Sequence, residues 1–259
     1  MMARDRSGHG DPARMLALLW ETGDPGPRRG PRPALSVEEV VRHAIAIADE
    51  QGLDAVTMRR VAQAAGVGPM ALYTYVPGKA ELLDLMLDRV YAEMPRKPWP
   101  AEWRHRVTAL ARDNRALYEA HPWAAAVSTG RPPLGPGLMA KYEHELAAFE
   151  GLGLDDVEMD AALTFVLDFV RASALASQDA SASRSESGMT DEQWWAANAP
   201  LLERILDPDA FPLASRVGSA AGAAHGAAYS PEHAWDFGLS RVIEGLAALI
   251  DGPARVSGS

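Results

Sequence analysis

The 259-residue chain contains no cysteine, which excludes disulfides, thiol catalysis and cysteine-ligated zinc. Lysine is nearly absent: Lys79, Lys97 and Lys141 stand against 22 arginines, a bias that says nothing of mechanism. No apolar run is long enough to span a bilayer, for the most apolar stretch, residues 161–176, is short and contains Asp168 and Arg171. The N-terminus has only a broken apolar run, MLALLW, and makes a poor signal peptide. A cytoplasmic protein with no membrane partner is expected. The most informative absence is local. No acidic residue lies between Asp54 and Glu81, in a chain whose net charge is −10.

That gap reads TMRRVAQAAGVGPMALYTYVPGK over residues 57–79 and contains Arg59, Arg60 and Lys79, so it is locally cationic. DNA repels carboxylates, and a surface that lies against phosphates must exclude them. Thr57, Tyr73, Thr74 and Tyr75 add hydroxyl donors of the kind that contact phosphate oxygens. The charge is also divided along the chain. Residues 1–98 carry 13 basic and 13 acidic side chains, and residues 99–259 carry 12 and 22, so the later part holds the whole −10. A DNA-reading head on an acidic body accounts for that division.

Hydrophobic content of 47% and charged content of 23% describe an ordinary globular protein. Residues 1–34, with GDPGPRRGPRP at 23–33, read as a flexible lead-in. Its Arg28, Arg29 and Arg32 belong either to a solvated tail or to an arm reaching DNA. Ser36 and Glu39 fit a capping box that opens a helix ending at Gly52. Thr57 can cap a second helix, Gly66-Val67-Gly68 makes a turn, and Pro69 suits the first turn of a third helix. A fourth helix runs from Lys79 to about Met94. Beyond a proline-marked break, helices are expected near 101–120, 135–150, 155–180, 190–206 and 231–251, with loose segments at 177–188 and 207–230. The expectation is all-α: a lead-in (1–34), a three-helix helix-turn-helix domain (35–94) and a larger helical domain for ligand binding and dimerisation (95–259).

Leu53 to Ala62, Ala65-Gly66-Val67, Ala71 to Val76 and Lys79 to Leu83 together resemble the TetR family of bacterial transcriptional repressors. Phe237-Gly238-Leu239 and Val242 to Leu246 look like the last helix of the branch with a tetracycline-repressor-like C-terminal domain. The resemblance implies a homodimer, a recognition helix in the major groove and a small-molecule pocket in the larger domain. By the same resemblance Thr57, Tyr73, Tyr75 and Lys79 would contact phosphate, Arg59 would reach a base edge, and Arg60 would lie nearer the backbone. Gly68, Pro69, Met70 and Ala71 would open the recognition helix, with Thr74 beside them. Pro69 and Met70 lack hydrogen-bonding side chains, so readout there would be apolar, as to a thymine methyl.

Competing motifs fare poorly. Gly66-x-Gly68-x-x-Ala71 loosely matches a dinucleotide fingerprint, which needs a preceding strand where a helix is expected. His144-Glu145 lacks the second histidine of a metalloprotease, and the seven histidines show no ligand spacing, so neither metal nor cofactor is expected. Ser219, His225, His233 and Asp236 lie in or beside a loose segment with no nucleophile turn. Residues 161–176 are apolar nearly all round and need cover on every side, from their own domain or from a partner. Helices around 158–176 and 231–251 would make the two-fold dimer interface. Trp103, Trp123, Met139, Tyr142, Phe165, Phe169, Trp194 and Trp195 are candidates to line a pocket for a small hydrophobic effector, although each can equally be core. A helical small-molecule carrier or enzyme with an incidental helix-turn-helix is the alternative.

Overall fold

The computed structural model of the protein describes residues 11–20, 35–127 and 131–252. Within them every regular element is helical: twelve α-helices and one 3-10 turn, Leu53–Ala55. The expected all-α architecture is therefore what the chain adopts. Arg28, Arg29 and Arg32 lie outside the described residues.

The lead-in needs correction. Its residues 12–19 form helix α1 (Pro12–Leu19), capped by the Asp11 carboxylate, which accepts from the Ala13 amide at 3.0 Å. Met15 and Leu19 are buried, and the Trp20 indole donates to the Leu134 carbonyl at 2.8 Å. Enough apolar surface lies on one side of this short helix to dock it, despite the proline- and glycine-rich chain that follows.

The head begins with α2 (Val37–Gln51), opened by the Ser36/Glu39 capping box and ended at Gly52, whose φ of 81° suits a residue without Cβ. Helices α3 (Met58–Ala64) and α4 (Pro69–Tyr75) follow, separated by a turn in which Gly66 has φ 70°. Their inward faces, Val61, Ala62, Leu72 and Val76, are fully buried. Helix α5 (Lys79–Glu93) packs on α2 and continues into the body against α8 (Pro136–Leu146). The contact is close. Asp88 of α5 accepts from the Gly137 and Leu138 amides at 3.1 and 2.8 Å, which caps α8 from a neighbouring helix. A Cβ on Gly137 would stand 2.0 Å from the Asp88 carbonyl oxygen, so the approach requires glycine there.

The body comprises α6 (Trp103–Ala120), α7 (Pro122–Ala126), α8, α9 (Asp156–Ser187), α10 (Asp191–Ile205), α11 (Pro212–His225) and α12 (Pro231–Ile250). Helices α6, α9 and α12 pack on one another around Leu110, Leu163, Val166, Leu239 and Val242. A separate core joins the head to α1, Leu117 and Trp123. Both segments expected to be loose contain helix. Residues 177–187 extend α9, since serine and alanine tolerate a helix, and Gly188 closes it in the left-handed conformation. Residues 212–225 form α11, started by Pro212 and closed by Gly226 at φ 63°. Gly222 within α11 is buried under the Trp195 indole, where a Cβ would meet ring atoms at 2.5 Å.

Candidate nucleic-acid interface and effector cavity

The candidate contact residues of the carboxylate-free segment lie on and beside α3 and α4 and at the start of α5, and most are exposed. Thr57, Arg59, Arg60, Gly68, Pro69, Met70, Ala71, Tyr73 and Thr74 are exposed, and Tyr75 and Lys79 are half-buried. Met70 is 79% exposed at the start of α4, an unusual place for a large apolar side chain without a partner. Helix geometry explains the tyrosines. Leu72 and Val76, four apart, take the inward face, so Tyr73 faces out and Tyr75 leans half against the core.

Local bonds set several of these side chains. The Thr57 hydroxyl accepts from the Arg60 amide at 3.2 Å as the N-cap of α3. The Arg60 guanidinium donates to the Gln51 carboxamide oxygen at the end of α2, which ties it to that helix. The Thr74 hydroxyl donates to the Ala71 carbonyl at 2.6 Å. Arg59 stands exposed on α3, which packs against α4. The arrangement presents cations, hydroxyls and one apolar side chain together, with no carboxylate contributed by residues 55–80.

The eight residues expected to line an effector pocket are scattered over the body, and none of them lines the cavity between α6, α9 and α12. Trp103 is buried in the body core, and Trp123 is buried near the head, donating to Asp49 at 2.7 Å. Met139 is half-buried, Tyr142 is exposed and donates to Asp160 at 2.7 Å, and Phe165 is exposed. Phe169 stacks on Trp235 with ring centroids 5.4 Å apart. Trp194 is exposed while Trp195 covers Gly222, the division that adjacent helical positions impose. Four of the seven rings, Trp103, Trp123, Phe169 and Trp195, pack against interior partners, and the other three are exposed.

A cavity of about 220 Å³ instead opens between α6, α9 and α12, lined by Tyr118, Ser173, Ser177, Gln178 and Trp235 among others. Burial pushes the Tyr118 phenol up to about 12, so it stays a neutral donor at physiological pH. The signal was present as serines at 173, 177 and 181, one helix face, but lay partly in a segment read as loose. A second, polar cleft beneath α8 is nearly filled. Lys141 and Glu145 pair at 2.6 Å there, and the Asn114 amide donates to Glu145 at 2.6 Å. Burial pulls the Lys141 ammonium down, and the Glu145 carboxylate opposes that shift. Among the described residues no group of three histidine or acidic side chains is placed to hold a metal.

Residues 40–86 match the model of the tetR family of bacterial regulatory proteins, and residues 96–250 match the tetracyclin repressor-like C-terminal domain. The chain belongs to the TetR family. This TetR-family regulator is 40% identical to the HTH-type transcriptional repressor DrrR1 of Streptomyces coeruleorubidus, over 95% of its own length and 89% of that protein's. It is 28% identical to the class A tetracycline repressor of transposon 1721 from Escherichia coli, over 82% and 91% of the two chains. Among solved structures it is similar to ActR of Streptomyces coelicolor in complex with actinorhodin. The TM-score is 0.71 and the identity 29%, covering 85% of this chain and 99% of that one. TetR-family regulators bind operators and small molecules as dimers, and no helix among the described residues is long and apolar enough to cross a membrane.

Proposed function

We propose that this regulator is a cytoplasmic repressor without enzymatic activity, which binds a palindromic operator as a homodimer and leaves it when a small hydrophobic effector binds the body. The outward surface on α3 and α4 supports the reading most strongly, being free of carboxylates in an anionic molecule. Two copies related by a two-fold axis would set their α4 helices about 34 Å apart, in successive major grooves. Arg59 is the polar base reader, Met70 the apolar one, and Tyr73, Tyr75 and Lys79 hold the phosphates. Exposed Val157 and Phe165 on α9 and Phe237 on α12 support an interface between copies through those helices. The DrrR1 repressor and the actinorhodin-bound ActR lend the repressor and effector parts their support.

Effector release requires that the ligand bind the DNA-incompatible arrangement more tightly, by a coupling of about 1–3 kcal/mol. Helix α5 is the lever, touching α2 in the head and capping α8 in the body. A gel shift with DNA flanking the gene tests the reading directly. The parent should give a sequence-selective shift that weakens with salt, and Arg59→Ala and Tyr75→Phe should weaken it without unfolding. Equal binding by both variants would remove the site assignment, and a parent without any selective shift would favour the carrier or enzyme.

A further inference from the structure

The cavity between α6, α9 and α12 holds about 220 Å³. The cleft beneath α8 leaves about 10 Å³, room for no more than a water. We propose that the cavity between α6, α9 and α12, rather than the larger cleft of about 410 Å³ along Lys97, Trp99 and Arg112, is the effector site and takes a ring-bearing, neutral or cationic molecule with hydroxyl or carbonyl groups along one edge, to the exclusion of carboxylates. The inference rests on the regulator reading above and specifies the chemistry of its effector.

Three features define that chemistry. The first is a preset aromatic wall. Trp235 is buried and is fixed by its stack with Phe169 at 5.4 Å and by the Arg115 guanidinium 4.8 Å from its ring, so its indole does not have to be ordered when a ligand arrives. Tyr118, Ala174 and Pro122 extend the apolar lining. The second is a row of hydroxyls. Ser173, Ser177 and Ser181 recur every four residues along α9, spaced by about 6 Å per step. Gln178 is committed to the Pro122 carbonyl at 3.1 Å, whereas no hydrogen bond to another described residue engages Ser173 or Ser177. A ligand edge carrying polar groups at intervals can use that row, and a wholly apolar edge would strand it.

The third is charge. Arg115 supplies the cavity's cation, and its guanidinium already donates to Glu119 at 2.8 Å and to Glu232 at 2.5 Å. The three side chains sum to −1, one cation less two carboxylates. An anionic ligand would meet a committed cation and two carboxylates that line the same cavity. Neutral and cationic ligands pay no such penalty.

Isothermal titration calorimetry on the full-length protein tests this with 1,8-dihydroxyanthraquinone, whose hydroxyls and one carbonyl share an edge, and with its 3-carboxylate. The parent should bind the neutral probe, and at least about fivefold more weakly the carboxylate, a gap that narrows in Glu232→Gln. Ser177→Leu, which fills the cavity, should weaken the neutral probe at least about tenfold. Should Ser177→Leu melt early, Ser181→Leu decides in its place. The proposal is overturned if the parent binds no neutral probe, if the cavity-filling variant binds like the parent, or if the carboxylate binds as tightly. A gel shift of the parent alone judges the regulator reading separately: loss of selective DNA binding strikes that reading whatever the calorimetry shows.

Discussion

Asp88 shows how much one side chain can carry in this fold. Its carboxylate satisfies two amides at the start of α8, yet burial holds its pKa above the usual carboxylate range, against the pull of those same donors. Asp88→Ala would leave the Gly137 and Leu138 amides without an acceptor and should cost about 1–3 kcal/mol in denaturant unfolding. His144 yields a prediction about pH. Its ring stacks on Trp99 at 4.4 Å, and burial holds its pKa below 6.5, with Arg96 acting in the same direction and Glu145 and Asp113 opposing. The folded state therefore binds the proton less readily than the unfolded chain, so this contribution is present above pH 6.5 and lost as pH falls through the folded value. Melting curves at pH 7 and pH 5 should show a smaller decrease for His144→Phe than for the parent. Arg59, Tyr73 and Met70 were readable as an outward set because helical spacing left Leu72 and Val76 to face in. Asp88, Gly137 and Asp49 were not readable, since their partners lie far away in sequence.

Helix α7 shows the same limit at the scale of elements. It is five residues long, and contacts from α2 and α9 hold it in place. Asp49 of α2 accepts from the Trp123 indole at 2.7 Å and meets His121 at 2.8 Å. From α9, Arg171 donates to the Ala125 and Val127 carbonyls at 2.8 and 2.9 Å, and Gln178 reaches Pro122. Because Pro122 also lines the proposed effector cavity, α7 joins that cavity to α2 of the head. Asp49→Ala should leave a buried indole N–H unpaired, at a cost of about 1–3 kcal/mol. It should also blunt the effector's influence on operator affinity more than the affinity itself. Titrating operator binding with and without effector separates the two, and an unchanged effector response would rule out this route. Helices with clear caps and apolar stripes, α2 and α12 among them, were legible in the sequence. The end of α9 and all of α11 were not, because serine, alanine and glycine suggest a loop until Trp195 is seen packed against Gly222.

At the scale of the whole molecule, the division of charge and the proposed two-fold assembly serve one purpose. On the proposed reading an anionic body would resist non-specific capture by DNA, and the neutral front would confine attraction to the reading surface. Pairing of two heads would make affinity depend on dimerisation. Phe237, 58% exposed on α12, lies on the face proposed to meet the second copy. Phe237→Glu should yield monomers in light-scattering chromatography and lose operator affinity together with them. The most direct test of the account is to place a carboxylate where the chain has none. Fluorescence anisotropy with labelled operator should find Ala71→Glu, exposed at the front of α4, weakened by at least about tenfold. The same substitution at exposed Ala140 on α8 should leave affinity within about twofold. Equal operator affinity for Ala71→Glu and the parent would contradict the claim that this surface meets DNA.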